Sequence, residues 1–103
     1  MPPRYAPEAL HGIDAAAAYY ERFGWRVARR FRDALDAAAA RLAADPTSHA
    51  RHPAAVGPEV RFVPLKKFPY VLLCDTAVTP AVVLSLLHTA AGPGRMRSAE
   101  RRG

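Results

Sequence analysis

The chain is short of cysteine, of large apolar side chains and of long apolar runs, and each shortage removes a class of protein. One cysteine in 103 residues, Cys74, excludes an internal disulfide. Its place in an apolar run reads as a small buried side chain in a reducing compartment. No apolar run approaches the ~20 residues that a membrane helix needs, and the opening "MPPRYAPEAL" has no apolar segment of a secretory signal. The expectation is a soluble, cytoplasmic chain without membrane contact. There is no GxSxG, no P-loop and no glycine-rich dinucleotide turn, so no cofactor is expected. His49 and His52 have the spacing of a metal pair, but nothing beside them completes the three or four ligands a site needs. No metal is expected.

What is present is alanine and positive charge. Half the residues are hydrophobic, but alanine makes up much of that half, so the few larger side chains mark the core. A net charge of +6 and a pI near 10.2 favour acidic partners, nucleic acid or protein. The length allows one domain and one core. Residues 1–93 are read as that domain, and residues 94–103 as a basic, loosely ordered tail.

Pro7 suits a first helical turn and Glu8 suits its dipole. Leu10, Ile13, Ala17 and Tyr20 follow at helical spacing, and Gly12 weakens this helix without ending it. A break near Phe23–Gly24 leads to a second stripe of Val27, Phe31, Leu35, Ala38 and Leu42, stopped by Asp45–Pro46. So short a connection makes an antiparallel helical hairpin. Residues 45–58 read as a loop. Strands are expected from Glu59 to Leu65, Tyr70 to Asp75 and Ala81 to His88, with a turn in "TAVTP".

Two helices followed by strands imply an α+β fold. The helical hairpin packs on one face of a small antiparallel sheet of three to four strands. In "YVLLC" and "AVVLSLL" both strand faces are apolar, whereas one hairpin covers one face. The second face is either an exposed binding surface or covered by a loop or the tail. Pro64 predicts a bulge or an unpaired position, Pro69 the start of a central strand. Lys66 and Lys67 occupy the turn between them.

The ordered series "APEAL", "IDAAAAYYERFG", "FRDALDAAAARLAADP", "VRFVPLKKFPYVLL" and "VVLSLLH" resembles the RelE/ParE superfamily of bacterial type II toxins, over roughly Tyr5 to Pro93. The resemblance implies a toxin neutralised by a cognate antitoxin in a toxin–antitoxin hetero-oligomer. Its two branches differ in chemistry. The RelE-like branch cuts mRNA on the ribosome and needs cations around a phosphoryl transition state. Its two strand lysines and the arginine after the tyrosine fall here on Phe62, Pro64 and Val71, all apolar. The ParE-like branch inhibits DNA gyrase by binding it, and the chain is closer to that branch. His88 fits the histidine that both branches carry at the last strand's end. Ala90 and Ala91 stand where relatives carry cations, which Arg95, Arg97, Arg101 and Arg102 either replace or do not.

The expected target or antitoxin surface is Arg61, Lys66, Lys67, Phe68, Tyr70, His88, Arg95 and Arg97. The chain leans away from being an enzyme. If it is one, it is a ribosome-dependent endoribonuclease using Arg61, Lys66, Lys67, His88 and Arg95. An inactive relative that keeps only antitoxin binding is the third reading. Arg61 either faces a partner or pairs with an acid such as Asp75. Arg22, Arg26, Arg29 and Arg30 read mainly as a solvated face, since Arg29–Asp33 and Arg32–Asp36 have the spacing of helical ion pairs.

Overall fold

The computed structural model describes residues 1–47, 49 and 59–89. The elements in chain order are β1 (Arg4–Tyr5), α1 (Pro7–Glu21), α2 (Trp25–Ala44), β2 (Val60–Pro64), β3 (Tyr70–Asp75) and β4 (Val82–His88). The two helices form the expected hairpin, and no described helix is long and apolar enough to cross a membrane.

Pro7 starts α1 where its missing N–H costs nothing, and Glu8 stands in the first turn. The buried stripe of α1 is Ala9, Ile13, Ala16 and Ala17, with Tyr20 half-buried at its end. Leu10, expected on that face, is 47% exposed. It stands one position, or about 100°, away from the stripe that Ala9 leads. Three successive i−3 hydrogen bonds tighten the helix end, from the N–H groups of Arg22, Phe23 and Gly24 to the carbonyls of Tyr19, Tyr20 and Glu21. Gly24 then reverses the chain at φ 114°, where an L side chain is strained. The buried face of α2 is Ala28, Phe31, Leu35, Ala38, Ala39 and Leu42.

The sheet order is β1-β4-β3-β2. Strands β2, β3 and β4 are antiparallel neighbours, as expected. The fourth strand is β1, which pairs parallel to β4 with Arg4 opposite Val82 and Tyr5 opposite Val83. The sheet is therefore mixed rather than wholly antiparallel. Two residues carry no strand signal of their own; the bonds from Arg4 N–H to Ala81 O and from Ala6 N–H to Val83 O, both 2.9 Å, make β1.

Pro64 needs neither a bulge nor an unpaired position. It stands opposite Val71 in regular register, and β2 is an edge strand, where a missing donor can face solvent. The register shift lies instead between Leu73 and Cys74, where β3 meets β4.

The helices cover one sheet face, burying Val63, Leu72, Cys74 and Val83 with Phe31 and Leu42. Each large side chain removed from water in this way contributes roughly 1.5–3 kcal/mol. Gly12 faces β4, where an added Cβ would meet the Cβ of Leu86 at 3.5 Å, an ordinary contact that does not require glycine. The other face carries Phe62, Val71, Leu73, Val82 and Leu87 by register. No described helix packs on it, yet these side chains are half-buried and Val71 is buried. Val71 lies on the interior strand between Pro64 and Leu87, which shield it. The face is thus less open than a bare sheet would be.

Candidate functional site

The tip of the β2–β3 hairpin places four of the expected site residues, Lys66, Lys67, Phe68 and Tyr70. It is held by Leu65 N–H donating to Tyr70 O at 2.9 Å and Tyr70 N–H donating to Phe68 O at 2.8 Å. Lys67 turns the chain at φ 66°, and Lys66 and Lys67 are both exposed. Phe68 and Tyr70, on the far side of the turn, pack inward instead. Pro69 leads into the central strand from the residue before it, and its carbonyl accepts from Thr89 N–H at 2.8 Å. That bond ties the hairpin to the end of β4.

Phe68 and Tyr70 join Tyr20 and Phe31 in one aromatic cluster. Ring centroids are 5.1 Å apart for Tyr20–Phe68, 5.2 Å for Tyr20–Phe31 and 5.6 Å for both Phe31–Phe68 and Phe31–Tyr70. Most meet edge to face, the arrangement that ring quadrupoles favour. Tyr70 extends the cluster to the surface, where its ring stands 4.8 Å from that of His88, opposite it on β4. Burial, and then the neighbouring Tyr70, raise the Tyr20 phenol above its ordinary value.

These residues border a cleft of about 630 Å³ between α1 and the sheet, lined by Gly12, Ala15, Ala16, Tyr19, Tyr20, Pro69, Tyr70, Leu86 and His88. Its walls are rings and small side chains, with phenols and an imidazole as hydrogen-bonding groups. The lining carries no lysine or arginine, so it suits a packed apolar or aromatic side chain better than a phosphate. Tyr19, Tyr20 and Gly12 were not among the sequence's candidates. Their only signal was the "YYE" end of the first helix and a glycine in its interior.

Arg61 stands apart from this cleft. It faces Cys74 across the ladder, four residues along β3 from Tyr70 and so ~13 Å away. It is 7% exposed. One terminal nitrogen donates to His49 O at 2.8 Å and the other to Glu59 Oε2 at 3.3 Å, while Nε has no partner among the described residues. Its acid is therefore Glu59, two residues away in sequence, and not Asp75, whose carboxylate accepts from Ala77 N–H at 2.9 Å. Arg61 ties together His49 and Glu59, and the His49 ring is held in turn by Nε2 at 3.2 Å from Arg41 O; separately, the Arg41 side chain donates to Pro64 O. Arg61 is thus withdrawn from solvent rather than presented to a partner. Arg95, Arg97 and His52 lie outside the described residues.

Phe62, Pro64 and Val71, where the RelE-like branch carries cations, share the sheet face away from the helices. Pro64 opposes Val71 directly, and Phe62 opposes Leu73.

No curated protein sequence matches the chain. Among solved structures, the fold is similar to a chain of the chromosomal ParDE toxin–antitoxin system of P. aeruginosa, with a TM-score of 0.68 at 17% identity. That alignment covers 85% of this chain and 95% of the other. Residues 4–92 match the sequence model of the ParE toxin of type II toxin–antitoxin systems, parDE. The match spans both helices and all four strands, and the chain belongs to the ParE toxin family.

Proposed function

We propose that this toxin acts in the cytoplasm by binding a bacterial protein, DNA gyrase in the ParE-like reading, and that a cognate antitoxin neutralises it by binding. The observation that carries the reading is the sheet face on which Phe62, Pro64 and Val71 come together. A ribonuclease of the RelE type needs cations at these positions to stabilise a phosphoryl transition state, and here the same positions form an apolar surface. Binding, by contrast, needs only complementary shape and charge. The net charge of +6 favours acidic segments on the antitoxin and speeds their encounter. The expected contact surface is the hairpin tip and cleft: Lys66, Lys67, Phe68, Tyr70 and His88, joined by Arg95 and Arg97. Arg61, bound to His49 and Glu59, lies buried away from this surface.

The second reading, a ribosome-dependent endoribonuclease, is favoured by the Tyr70–His88 pair, an aromatic beside an exposed imidazole. It is weakened by the burial of Arg61. The deciding experiment induces the chain in bacteria without antitoxin, maps transcript 5′ ends and assays DNA supercoiling by purified gyrase with the protein added. Growth arrest with intact transcripts and inhibited supercoiling is expected. Codon-phased cuts would replace this reading with the ribonuclease. Normal growth would identify an inactive relative.

A further inference from the structure

The corner where α1 turns into α2 is built unlike the rest of the surface. Phe23 and Trp25 flank Gly24 and are 61% and 67% exposed, and Tyr19 beside them is 50% exposed. The rings of Tyr19 and Phe23 lie 5.3 Å apart, and the guanidinium of Arg26 lies 5.3 Å from the centre of the Trp25 ring. Three large aromatic side chains thus gather at the tip of a helical hairpin, outside the core.

The same corner carries Arg22, Arg26, Arg29 and Arg30, all exposed. Among the described residues none of them closes an ion pair; the Arg29–Asp33 and Arg32–Asp36 spacings do not become contacts. The fold itself disfavours this placement. The first turn of α2 holds no acidic residue and does hold Arg26, at the helix end where the dipole opposes cations. Neither helix stability nor core packing accounts for arginines and open rings here.

We propose that this corner binds single-stranded nucleic acid, with bases stacked on Trp25 and Phe23 and phosphates paired to Arg22, Arg26, Arg29 and Arg30. Stacking uses one open ring face and does not require the rings to enter a pocket. Helical neighbours at i+3 and i+4, such as Arg26, Arg29 and Arg30, stand ~5–6 Å apart at their Cβ atoms, so their flexible side chains can meet successive phosphates. Arginine suits phosphate through its paired donors. The alternative, a protein pocket receiving the aromatics, is less well matched to so dense a cluster of arginines, because interface cores are depleted of charge. The corner adjoins the cleft at His88, since Tyr19 borders both, but the stacking rings Trp25 and Phe23 lie outside the cleft lining, and the proposal does not depend on the protein's target.

Trp25 is the only tryptophan, so its emission reports on this corner directly. Titrating the full chain with a thymidine 20-mer at ~50 mM salt should quench that emission to saturation. With four phosphates neutralised, affinity should fall about fiftyfold between ~50 and ~200 mM salt, and about sevenfold when Arg26→Gln and Arg30→Gln are combined. With a fluorescein-labelled 20-mer followed by anisotropy, Phe23→Ala should weaken binding at least about fivefold. Circular dichroism would verify that these surface variants stay folded. Absence of quenching at ~50 mM salt overturns the proposal. So does equally tight binding of a duplex combined with no effect of Phe23→Ala, which would leave only phosphate attraction. Stronger quenching by poly-L-glutamate than by the 20-mer would also overturn it, and would assign the corner to an acidic protein segment.

Discussion

Tyr19 and Tyr20 are adjacent, and their rings lie 5.3 Å apart, yet they belong to two regions with opposite physics. Tyr20 turns into the junction of helices and sheet, where Phe31, Phe68 and Tyr70 surround it. Tyr19 turns out to the corner with Phe23. The helical step of about 100° separates the two. Aromatic content therefore says little by itself; the junction spends its rings on cohesion, while the corner leaves them open to solvent. Four predictions test that contrast, and the largest effect belongs to the junction.

Phe31 is 0% exposed and touches three other rings. Replacing it by alanine should cost ~3–5 kcal/mol, from lost transfer energy and the cavity left behind. Denaturant midpoints would measure this, and a loss below ~1 kcal/mol would show that the junction is not the core.

Next comes Cys74, 0% exposed on the same side of the sheet. Burial pushes its thiol from 9.0 up to about 12, so the folded chain holds that proton more tightly than the unfolded chain. Stability from this source is complete below pH ~9 and is lost as pH rises toward about 12, with a limiting slope of ~1.4 kcal/mol per pH unit. Urea unfolding across that window should show an alkaline decline that Cys74→Ala reduces. An identical decline in the variant would place its cause elsewhere.

At the corner the effects are smaller and of a different kind. Gly24→Ala should destabilise by ~1 kcal/mol, because φ 114° strains any side chain. There is open space where the new Cβ would go, so a larger loss would mean that the corner is more tightly packed than its exposure indicates. Phe23→Ala should change stability by less than ~0.5 kcal/mol, as ordinary surface substitutions do. A loss of 2 kcal/mol or more at Phe23 would erase the distinction between the regions.

Much of the site was legible residue by residue but not as a constellation. The turn at Lys66–Lys67, the strand entry at Pro69 and the histidine at the end of β4 follow from local pattern. That Tyr70 meets His88 depends on the register between β3 and β4, and a ladder's register includes a shift at Leu73/Cys74 that no local residue announces. Arg61 is a conspicuous strand charge in the sequence, but nothing local says that it folds back on His49 and Glu59. A long flexible side chain takes whichever partners the loop brings to it. Gly12 weakens its helix by propensity, and that it lies against Leu86 follows only once α1 lies on β4.

By itself the sequence determined the helical hairpin, the three main strands and the family, because periodicity, proline stops and motif order are properties of contiguous residues. Only the tertiary structure decided that Arg4–Tyr5 would become a strand parallel to β4. It alone buried Arg61 and carried Phe23 and Trp25 out to an open corner. These outcomes depend on contacts between residues far apart in the chain, whose free energies are settled by packing and hydrogen bonding after the local elements have formed.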